Sequence, residues 1–100
     1  MVYINLKTLT RSLPSVEGSQ IIIREVMTAG DFEKVSAVPK EQFLFEALAC
    51  MIIDWNLENE SGKLPINRTS LALLPLTDLQ ELFFETDFGK KAKEIEEKKS

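Results

Sequence analysis

Histidine is absent from the 100 residues, which removes the commonest general base, the usual zinc ligand and every Ser-His or Cys-His nucleophile pair. Cysteine occurs once, as Cys50 in "ALACMII", so no disulfide can form within the chain and nothing points to an oxidising compartment. Apolar neighbours raise the pKa of such a thiol, which suits core filling better than catalysis. Glycine is sparse: Gly18, Gly30, Gly62 and Gly89 stand far apart, whereas a phosphate-cradling loop needs several at fixed spacing. Positive charge is scarce too. A formal charge of −4 and a pI near 4.9 argue against the clustered Lys and Arg on which nucleic-acid affinity rests. No apolar run approaches the roughly 20 residues of a membrane span. "MVYINLKTLTRS" lacks the basic-then-apolar pattern of a signal or transit segment, so a cytosolic protein is expected.

What is present is enough apolar material, 44% of the chain, to build one modest core. Val2, Ile4, Leu6 and Leu9 nearly alternate with polar residues, and "SQIIIREV" gathers three β-branched isoleucines. Residues 2–27 therefore predict a β-hairpin that needs something to lie against. Thr28 or Asp31 caps a short helix that ends near Pro39. The next predicted helix, Lys40 to Asp54, is unusual, because 11 of the 13 residues from Phe43 to Trp55 are apolar and only Glu46 and Asp54 interrupt. An ordinary surface helix carries one apolar stripe, so this one is either central in the monomer or partly covered by another chain. "NRTSLALLP" gives a short helix stopped by Pro75. "LTDLQELFFETDF" gives another, with a Thr77–Gln80 capping box and Leu79, Leu82, Phe83 and Thr86 at helical spacing. Of the two adjacent phenylalanines, Phe84 is expected to turn outward. "GKKAKEIEEKKS" holds five lysines and three glutamates in twelve residues and reads as a solvated helix end or tail. The expected fold is α+β: a single domain over 1–89, with an N-terminal β-hairpin packed on three to four helices (about 28–86), then a charged tail over 90–100.

"DWNLENESGKLPI", residues 54–66, alternates acidic and amide side chains like a cation loop. Asp54, Asn56 and Glu58 fall at calcium-ligand positions 1, 3 and 5, but position 6 is Asn59 instead of glycine and position 12 is Pro65 instead of a bidentate Glu. A turn-bearing connector fits better. Glu58, Glu60, Glu81, Glu85 and Asp87 read as solvated surface, since acid–base work needs a carboxylate shifted by burial or a neighbour. No cofactor is expected.

The same connector carries a resemblance. "WNL", an acidic turn closing on "SGKLPI", then "NRTSLALLP" and "LTDLQEL", is similar to the C-terminal half of small tail assembly chaperones of long-tailed bacteriophages. Upstream, Ile23, Arg24, Thr28 and Asp31 in "IREVMTAGD" match an I-R-x-x-T-x-x-D pattern common in such proteins. The resemblance covers residues 20–86. It implies a non-enzymatic helper in the host cytoplasm that binds the tape-measure protein, assists assembly of tail tube protein around it and works as a homo-oligomer, with neither nucleic acid nor membrane as partner. Phe43, Leu44, Ala47, Leu48, Met51, Ile52, Trp55 and Phe84 would be its oligomer, partner or core residues. The alternative is a permanent part of the virion, such as a neck, tail-completion or baseplate protein, whose hairpin adds a strand to a neighbour's sheet.

Overall fold

The computed structural model describes residues 6–91. The expected strand positions 2–5 and the tail beyond residue 91 lie outside the described residues. The architecture is α+β. Strand β1 (Thr8–Arg11) pairs antiparallel with β2 (Ile21–Arg24), Thr8 opposite Arg24 and Arg11 opposite Ile21. One more bond, from the Glu25 N–H to the Lys7 carbonyl at 2.9 Å, extends the ladder. Alternation puts Ile21 and Ile23 in the core and leaves Ile22 half-buried on the other face. The loop between the strands is pinned where buried Leu13 donates its N–H to Ser19 Oγ at 2.7 Å.

The apolar run divides where sequence periodicity does not. A short 3-10 turn over Lys40–Gln42 leads into helix α2 (Phe43–Met51), and the chain then straightens into strand β3 (Ile52–Trp55). The helix expected to reach Asp54 thus ends three residues early. β3 pairs antiparallel with the free edge of β2, giving a three-stranded sheet in the order β1-β2-β3 rather than a lone hairpin. A continuous apolar run is compatible with helix or strand, and here two β-branched residues meet a ladder that lacks a second partner. Ile52 faces Ile23, Asp54 faces Ile22, and Ile53 is the surplus residue of a bulge between them. Strict alternation would bury Ile52 and expose Trp55, or the reverse. The bulge buries both and leaves Ile53 half exposed.

Helix α1 (Ala29–Ser36) starts at Thr28, whose hydroxyl accepts the Asp31 N–H at 3.1 Å while the Asp31 carboxylate reaches back to the Thr28 N–H, a complete capping box. After β3 comes a small hairpin of β4 (Glu58–Asn59) and β5 (Gly62–Lys63), its turn relying on Gly62 at φ 115°. Helix α3 (Arg68–Leu71) is capped by Asn67. In helix α4 (Leu76–Glu85) the expected Thr77–Gln80 box does not form. Pro75, with ψ 130°, serves as N-cap and its carbonyl accepts the Leu79 N–H, so Thr77 already lies inside the first turn.

Thr86, expected to continue α4, is instead extended and buried, and it starts a further helical segment over 87–91 by accepting the Gly89 N–H at 3.0 Å. Gly89 lies so close to the end of α4 that an added Cβ would come within 1.9 Å of the Phe83 carbonyl oxygen. The inner face of the sheet, Leu48 and Met51 of α2, Leu71 of α3, and Leu79, Leu82 and Phe83 of α4 share one core.

Candidate functional site

Two regions stood out in the sequence: the apolar run and the connector. The fold uses both internally. Ala47, Leu48 and Met51 are fully buried on α2, and Ile52 and Trp55 are buried at the bulge, so of the oligomer, partner or core roles expected for them these five take the core one: the chain's own sheet and helices cover them. Phe43 and Leu44 are half-buried against the same core. The Phe43 ring meets Phe83 edge-on at 6.1 Å and lies nearly parallel to Phe88 at 6.2 Å. Phe84, expected outside, is also half-buried, its ring 5.8 Å from that of Phe83. Three strands, rather than two, leave the helices more apolar surface to cover.

The connector is a structural tie. Trp55 Nε1 donates to the Leu64 carbonyl at 2.8 Å, and the Leu64 N–H donates to the Leu57 carbonyl at 2.9 Å, so the small hairpin folds back under the indole. The Asn56 side chain accepts the Gln20 N–H at 2.7 Å and donates to the Gly18 carbonyl at 3.0 Å, which binds the connector to the entry of β2. Asp54, first in the calcium-like spacing, is exposed and paired with Lys63 at 2.7 Å. The hydrogen bond from Lys63, followed by the Trp55 backbone N–H, holds its carboxyl below the usual value.

The second quoted pattern closes on itself in the same way. Arg24 Nη2 reaches Asp31 Oδ2 at 2.6 Å and also donates to the Cys50 carbonyl, so one guanidinium joins β2, the capping box of α1 and the end of α2. Both side chains are largely buried, at 17% and 13% exposure, which makes removal of one partner costly because the other charge is stranded. A cation near the last carbonyls of α2 is also favoured by the helix dipole. Cys50 itself contributes a carbonyl rather than a reactive thiol. Burial, then the Asp31 and Glu46 carboxylates, push its pKa up.

Asp78 is the one buried carboxylate among the described residues, and Ser15 satisfies it through its N–H at 3.0 Å and its hydroxyl at 3.2 Å. Among the described residues no cluster of His, Cys, Asp and Glu could hold a metal ion, and no helix is long and apolar enough to cross a membrane.

The surface that remains for binding lies elsewhere. Phe32 on α1 is 53% exposed, Leu73 and Leu76 around the α3–α4 turn are 69% and 56% exposed, and Ile53 stands out from the bulge. Phe32 borders an open groove of about 570 Å³ shared with Met27, Ala29 and Phe88. Sequence reasoning passed over Phe32 and Phe88 because each is an isolated aromatic in a polar segment. The spacing of Phe32 from buried Val35 offered the only local hint, and it suggested core. The sheet edges are poorly suited to strand addition: Arg11 donates to the carbonyl of Thr10 on its own strand at 3.0 Å, and β3 carries the bulge and the Asp54–Lys63 pair. Compared with family models, curated proteins and solved structures, the chain matches none.

Proposed function

We propose that this chain is a non-enzymatic tail assembly chaperone of a long-tailed bacteriophage. In this reading it acts in the host cytoplasm, self-associates, and shields apolar helical segments of the tape-measure protein while tail tube protein assembles around them. The observation that carries the reading is that the residues behind the resemblance belong to one working set. Ile23, Arg24, Thr28 and Asp31 form the tie between β2 and α1, and Trp55, Asn56 and Leu57 lock the connector. In this chain the residues that carry the resemblance are ones that tie its elements together. Exposed Phe32, Leu73 and Leu76 add further support, since a helper for apolar helices needs such ground on its surface. The acidic balance of the chain keeps that surface soluble.

Co-expression tests the proposal. A tape-measure protein that precipitates alone should stay soluble beside this chain and co-purify with it, and purified virions should lack the chain by mass spectrometry. Stoichiometric presence in the particle would instead make it a permanent component. A virion part that docks by strand addition has less support, given the capped and bulged sheet edges.

A further inference from the structure

We draw no further inference here: the strongest candidate, the open apolar groove that half-exposed Phe32 of α1 shares with Met27 and Phe88, carries none, because nothing in the structure shows what covers it.

Discussion

The run from Phe43 to Trp55 and the pair formed by α1 and segment 87–91 are opposites in composition and in fate. The first is nearly all apolar, yet most of its large side chains are inside; the second is mostly polar, yet it sets Phe32 beside Met27 and Phe88 in the open. The difference teaches that apolar content states how much must be covered, whereas topology decides what remains uncovered. The run is covered because it changes from helix to strand partway, so one half packs on α3 and α4 while the other completes the sheet. Phe32 stays bare because nothing in the described chain crosses over the start of α1.

Substitutions should separate the two regions sharply. Leu48→Ala, at the fully buried centre of α2, is expected to cost about 4 kcal/mol, because it removes burial and leaves a cavity. Urea unfolding measures this, and a loss near zero would mean the run is not the core. Arg24→Met should cost about 3 kcal/mol by stranding Asp31 and the Cys50 carbonyl. If Arg24→Met with Asp31→Leu recovers stability that either change alone loses, the tie is the cause.

Asn56→Ala should cost about 1 to 2 kcal/mol, since the Gln20 N–H and Gly18 carbonyl both lose a partner. Hydrogen exchange would localise the loss to the start of β2. Phe32→Ser, measured at a dilution that keeps the chain monomeric, should move stability by no more than about 0.5 kcal/mol. A large loss there would erase the contrast between the regions.

The smallest effect is electrostatic. Asp54 has its folded pKa lowered, so its contribution is present above the unfolded pKa and fades as pH falls through the lower folded value, in the acid range below about 4. Lys63→Ala should remove that part of the acid dependence and leave neutral-pH stability almost unchanged, because the pair is exposed. Urea midpoints at pH 3 to 7 compare the two chains.

Local signals in the sequence located those elements whose cause is local. Thr28 caps α1 because a hydroxyl and an acid three residues on satisfy each other wherever the chain goes, and the "III" alternation gives β2 its inner and outer faces. The acidic loop fails as a calcium site at Asn59 and Pro65, and it is a hairpin connector in the fold. Decisions made at long range were not legible. The end of α2 depends on an open ladder at β2, some thirty residues earlier in the chain, and Thr77 yields its capping role to Pro75 because the helix starts two residues sooner. The groove was hidden for the same reason: Met27, Phe32 and Phe88 come from separate segments, and no window along the chain contains all three.

The bulge at Ile53 makes arithmetic part of the architecture. Between the inward anchors Ile52 and Trp55 the chain holds two residues where a regular zigzag would hold an odd number. Deleting Ile53 would leave one residue between them, so a regular strand would carry both anchors inward and the indole would keep its bond to the Leu64 carbonyl without any bulge. The surplus residue is where this strand tolerates a change of length.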